Sequence, residues 1–189
     1  MIEIKNISKS FDGKSVLTDA SFKVSEGECV ALCGASGAGK TTLLRIIAGL
    51  EKADSGEVIY PKNKRRTFVF QENRLLENRS VLENILAVAD DRERAMYFLE
   101  RCSLAEHKDK KASQLSGGMK RRLAIARALT FGGDIYFLDE PLRELDEESH
   151  KKIAQLIKEE IAGKTAILIT HDKFSTEFLS DRQITIGNS

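Results

Sequence analysis

Gly34-Ala35-Ser36-Gly37-Ala38-Gly39-Lys40-Thr41-Thr42 places three glycines, a lysine and a hydroxyl at the spacing G-x-x-x-x-G-K-[ST]. Those residue types in that order suit the holding of phosphates. Glycines at 34, 37 and 39 let the main chain turn so that successive N–H groups face an anion. Lys40 brings a mobile charge to β- and γ-phosphates, and the Thr41 hydroxyl is a ligand of the kind Mg²⁺ takes. The competing account is a glycine-rich turn that merely joins two elements. The flanks argue against it: Glu28 to Cys33 is a short, mostly apolar run of strand type. Leu43, Ile46, Ile47 and Leu50 then recur at helical spacing, with Gly49 near the helix end.

A second group of candidates closes the apolar run Ile135-Tyr136-Phe137-Leu138 with two carboxylates, Asp139 and Glu140. Asp139 is placed to hold Mg²⁺, directly or through water, if this strand lies beside the one that feeds the loop. Glu140 would then sit near a γ-phosphate and orient an attacking water. An exposed acidic strand end is the bland alternative. His171 follows the apolar run Ala166 to Ile169 and is read as a γ-phosphate contact rather than a merely exposed histidine. Ser116-Gly117-Gly118 opens a periodic helix, with Ser116 as its cap and free N–H groups behind it. That is a second anion site, and if it cannot reach the first loop it must serve another molecule.

The elements that must carry these residues alternate. Residues 2–7 and 16–24 read as strands without an intervening helix, so an antiparallel β portion is expected. Further strands are expected at 28–33, 57–60, 67–70, 134–138, 165–169 and 183–186, and helices near 40–49, 81–88, 92–102, 117–130 and 147–161. The pattern predicts one α/β domain over 1–189, a phosphate-loop core with a mainly parallel sheet. An α-helical subdomain spans approximately 72–130.

Composition narrows the function. The chain has 189 residues, 31% of them charged, yet a net charge of only +1, so a strongly basic nucleic-acid surface is not expected. The cluster Lys62 to Arg66 reads as a solvated turn rather than a nucleic-acid patch. Cys29, Cys33 and Cys102 have neither metal nor redox spacing; the first two are expected to be buried thiols, in a reducing cytosol. Met1 leads directly into the alternating Ile2-Glu3-Ile4, so no leader peptide is expected. No apolar run approaches the roughly 20 residues that span a bilayer, so any transport role would come through a partner.

Together these motifs resemble the ATP-binding-cassette ATPases, over essentially the whole chain. Gly34 to Thr41 resembles the Walker A loop, Asp139 and Glu140 the end of Walker B, and Leu115 to Gly118 the family signature. Gln71 matches the glutamine loop, Asp146 the aspartate loop and His171 the switch histidine. Phe11 stands where the family stacks an aromatic on adenine, with Val16 behind it. The resemblance implies ATP and Mg²⁺, with Thr41, Asp139 and Gln71 around the metal and Lys40, Glu140 and His171 in catalysis. It also implies a head-to-tail dimer in which Ser116, Gly117 and Gly118 meet the other subunit's ATP and Asp146 lies at the interface.

Transmembrane permease subunits and a substrate-binding protein would be the further partners, no nucleic acid is expected, and the place of action would be the cytoplasmic face of the cell membrane. Import is the expected direction. The rivals are an export or lipoprotein-release ATPase and a soluble switch in DNA repair or translation. Met119 and Phe70 to Leu76 look like the nitrate, sulfonate and taurine importer branch, although Glu77-Asn78-Arg79 replaces its usual proline-tryptophan segment. Met119 and Arg121 stand where glutamine is common, and Arg143-Glu144 where Ser-Ala is common. After the last strand no regulatory domain is expected.

Overall fold

Three runs, Cys29–Cys33 (β3), Ile135–Asp139 (β6) and Thr165–Ile169 (β7), are apolar along almost their whole length, as strands covered on both faces must be. In the computed structural model, which describes residues 1–187, they form the middle of a five-stranded parallel sheet. Asn188 and Ser189, the end of the expected 1–189 domain, lie outside the described residues. Arg66–Val69 (β5) and Arg182–Thr185 (β8) complete the sheet in the order β5-β6-β7-β3-β8.

The strand pleat divides the core in two. Val30, Leu32, Ile135, Phe137, Ile167 and Ile169 face one cluster. It also holds Leu43, Leu44 and Ile47 of the helix Lys40–Ile47 (α1) and Ile2, Ile4 and Ile7 of strand Ile2–Phe11 (β1). Cys29, Tyr136, Leu138, Ala166 and Leu168 face the other. There the helices Val81–Leu86 (α2), Arg92–Arg101 (α3), Gly117–Phe131 (α4) and Glu147–Ile161 (α5) supply the cover. A one-residue slip in any central strand would exchange the two clusters, so its register is tightly specified.

The antiparallel portion is a separate three-stranded sheet, with β1 between Lys14–Val24 (β2) and Ser55–Ile59 (β4). Its β1–β2 register shifts between Ile4 and Ile7, which keeps Ile7 buried despite the break in alternation. Every α-helix start but that of α1, which follows Gly39, is capped by a side chain. Ser80 and Glu83 form a capping box on α2, and Asp91, Ser116 and Asp146 cap α3, α4 and α5. A helix the sequence pattern did not suggest, Lys173–Leu179 (α6), follows β7 and is capped by Asp172.

Two expectations need correction. The β6 strand does not lie beside the loop-feeding β3, because β7 is inserted between them. Adjacency is unnecessary, since parallel strands deliver all their C-terminal ends to one edge. Cys33 is only partly buried, its thiol 3.5 Å from Gln183 Oε1, because β3 surfaces as it enters the glycine loop; Cys29 is buried as expected, and its thiol is pushed up to about 12 by burial.

Candidate nucleotide site at the sheet edge

Four parallel strands end at the same edge, and each releases a different functional group. β3 runs into the glycine loop and α1, β5 into Gln71, β6 into Asp139 and Glu140, and β7 into His171. A cavity of about 300 Å³ opens between them. It is lined by Val16, Ser36, Gly37, Gly39, Lys40, Thr41, Thr42, Gln71, Glu140, Ile169 and His171. Crevices at the carboxyl ends of parallel strands are the expected ligand sites of such sheets.

The loop itself shows why glycine is required. Gly39 has φ 81°, and a Cβ there would stand 2.8 Å from the Val16 main-chain oxygen and 2.8 Å from Leu17 Cδ2. This close approach brings β2 against the loop and makes Val16 part of the cavity wall. Lys40 is buried, and its ammonium donates to the Gly34 and Ala35 carbonyls at 2.8 Å each, which holds the charge inside the loop. Ala38 is buried, and its N–H donates to the Ala35 carbonyl at 3.2 Å; Ala35, Ser36 and Gly37 are exposed. Main-chain N–H groups, a helix start and an ammonium thus converge as an anion cradle.

Thr41 Oγ1 lies 3.4 Å from Asp139 Oδ1, which joins α1 to the end of β6. Asp139 is only 1% exposed, and its other oxygen, Oδ2, has no hydrogen-bond partner among the described residues. Burial raises its pKa above the ordinary 3.8, with Arg45 opposing the shift. A buried carboxylate oxygen left unpartnered, with the Thr41 hydroxyl beside its other oxygen, is a hard-oxygen donor pair, and it fits Mg²⁺. Among the described residues there is no cluster of three or more His, Cys, Asp or Glu that could hold a metal.

Glu140 has φ 46°, a left-handed backbone that a glutamate adopts only when its surroundings impose it. Its N–H donates to the Ile169 carbonyl at 2.8 Å, and its Oε1 lies 3.3 Å from Nε2 of the half-exposed His171. Gln71 is partly buried and lines the same cavity.

Other sequence candidates stand elsewhere. Phe11 is 45% exposed and outside the cavity lining, with the Lys9 ammonium 5.1 Å from its ring centre. Ser116 Oγ accepts from the Met119 N–H at 3.3 Å, and Ser116, Gly117 and Gly118 do not line the cavity. Asp146 caps α5 by accepting from the Ser149 N–H at 2.9 Å, which lowers its pKa.

Sequence reasoning noticed Arg121 only as a replaced glutamine. The structure buries it to 1% exposure and turns its guanidinium toward the ends of β5 and β6. The available signal was its position on one α4 stripe with Ile125 and Ala128, at i+4 and i+7, where an arginine must find partners inside.

Fold and site together define a phosphate-loop nucleoside triphosphatase. The sequence profile described as "ABC transporter" matches residues 17–143, two thirds of the chain. The chain belongs to the ABC transporter family and carries its ATPase domain. It is 38% identical over 192 residues to the aliphatic sulfonates import ATP-binding protein SsuB 1 of Shouchella clausii, covering 99% of this chain and 77% of that protein. It is 38% identical over 209 residues to the sulfate/thiosulfate import ATP-binding protein CysA of Escherichia coli K12, covering 98% of this chain but only 57% of the relative. Among solved structures, the dimeric post-hydrolysis state of the ATP-binding cassette MJ0796 bound to ADP and Pi superposes with TM-score 0.89 at 32% identity. That match covers 98% of this chain and 94% of that one.

Proposed function

We propose that the chain is the ATP-hydrolysing subunit of a membrane importer, working as a head-to-tail dimer on Mg²⁺-ATP. The observation that carries the reading is the meeting of the glycine loop, Gln71, Asp139, Glu140 and His171 at one sheet edge. Loop N–H groups and Lys40 bind the phosphates. Phe11 and Val16 flank the base, with the exposed ring of Phe11 free to stack. Thr41, Asp139 and Gln71 would hold Mg²⁺, which would draw charge from the terminal phosphates. Glu140 orients the water that displaces ADP from the γ-phosphorus, and His171 contacts the same phosphate from the neighbouring strand.

The dimer follows from the second anion site. Ser116, Gly117 and Gly118 lie outside the lining of their own chain's cavity, so the phosphate they would meet belongs to another copy, with Asp146 at the interface. The similarity to a cassette solved as a dimer supports this assembly. Import is supported by the importer names of the sulfonate and sulfate relatives, and a substrate-binding protein would belong to such a system. Among the described residues no helix is long and apolar enough to cross a membrane, so permease subunits would supply the path and hold this chain at the cytoplasmic face. A groove of about 220 Å³ beside the glutamine loop, lined by Phe68, Phe70, Val88 and Phe131, offers them an apolar contact next to the helices of 72–130.

Ser116→Arg tests the composite site. It should leave nucleotide affinity within about threefold and reduce hydrolysis by more than tenfold, about 1.4 kcal/mol or more in the barrier. Rates per subunit that are unchanged by the substitution, or by dilution to strict monomer, would contradict the shared site.

A further inference from the structure

Arg121 is a charged side chain only 1% exposed, with no carboxylate among its acceptors in the described residues. Nε donates to the Pro141 carbonyl at 2.7 Å, and Nη2 donates to the Glu140 and Asp139 carbonyls at 2.6 and 3.2 Å. Nη1 donates to the Phe70 and Gln71 carbonyls at 2.6 and 3.2 Å, with Asn73 Oδ1 at 3.4 Å. Five main-chain carbonyls from two separate strand ends therefore converge on one side chain of α4, the helix that begins at Ser116.

A buried charge is costly unless its donors are satisfied, and a planar fork of five N–H groups is the side chain able to satisfy them here. The arrangement also bears on Glu140, whose left-handed φ of 46° must be imposed by its surroundings. Arg121 holds the carbonyls immediately before, at and after that residue.

We propose that Arg121 is a positioning residue that locks the glutamine loop and the Glu140 turn to the signature helix, so that Glu140 is aimed at the cavity only while all three are joined. The inference rests on the ATPase reading above and adds a part to it. A lysine could keep the charge but cannot span two strand ends, and a glutamine has a single N–H₂ to offer.

The test uses the full chain with Arg121→Lys and Arg121→Gln, read by steady-state hydrolysis, equilibrium nucleotide binding and amide hydrogen exchange. Both variants should bind nucleotide within about threefold of the parent, lose at least tenfold in kcat with KM changed less than threefold, and exchange faster at residues 71–74 and 142–143 while α4 stays protected. Lys should lose no less than Gln, since charge alone does not position. A parental kcat in either variant would overturn the proposal while leaving the ATPase reading intact. Exchange quickened evenly across α4 would also overturn it, because the residue would then be serving stability alone. If the parent chain neither binds nor hydrolyses ATP, the ATPase reading fails first, and the positioning role falls with it.

Discussion

Asp139 carries the most informative electrostatics in the site. Its carboxylate is buried, Oδ2 has no partner among the described residues, and burial raises its pKa, so the fold disfavours the ionised form. The sign follows from linkage: stability contributed by this group is full below its ordinary value of 3.8 and is lost as pH rises through the raised folded-state value. Asp139→Asn should therefore stabilise the nucleotide-free protein at pH 7 by about 1–3 kcal/mol. Each kcal/mol corresponds to about 2–4 °C in Tm for a chain of this size. The gain should fade as the sample is taken to pH 4, and the same variant should lose most of its Mg²⁺-dependent hydrolysis. Thermal scans at the two pH values check the first outcome and a turnover assay the second. At this scale the gathering of the glycine loop, Asp139, Glu140 and His171 at one sheet edge was legible, because their types and their places after apolar strands mark them. Arg121 was not, because its acceptors are main-chain carbonyls, 18 to 51 residues away along the chain, that leave no trace in side-chain identity.

Elements place these groups through close approaches that can be tested singly. At Gly39 a Cβ would meet the Val16 carbonyl and Leu17 at 2.8 Å, whereas at Gly37, with the same φ of 81°, it would meet nothing within 4 Å among the described residues. Gly37→Ala should thus cost only the left-handed backbone term, about 1–2 kcal/mol. Gly39→Ala should cost more, because β2 must also move, and it should weaken nucleotide binding by more than tenfold. Denaturant titration and a nucleotide binding isotherm would show the ordering; equal costs would contradict the account of Val16 as a wall seated on the loop. Strand and helix positions were readable where burial is periodic or continuous, as in β3, β6, β7 and α5. The α6 helix was missed because seven residues carry too little periodicity, and its start rests on the Asp172 cap. The order of β6, β7 and β3 was missed for another reason: all three are apolar along almost their whole length, so nothing in their composition says which pair is adjacent.

For the whole molecule, the active site is read as one half of a pair. The cavity is lined by residues of the glycine loop with Gln71, Glu140 and His171, while Ser116, Gly117 and Gly118 lie outside its lining. Assembly should then be driven by nucleotide and undone by its hydrolysis, which is how such a chain would transmit work to membrane partners. The most direct measurement is the mass of Glu140→Gln in solution with and without Mg²⁺-ATP, by light scattering, alongside its turnover. The account predicts an ATP-dependent species of twice the 21.1 kDa chain mass. Turnover should fall by about 10²–10⁴-fold, the range for losing a general base. A variant that stays monomeric at micromolar concentrations with saturating Mg²⁺-ATP, or that turns over at the parental rate, would contradict it.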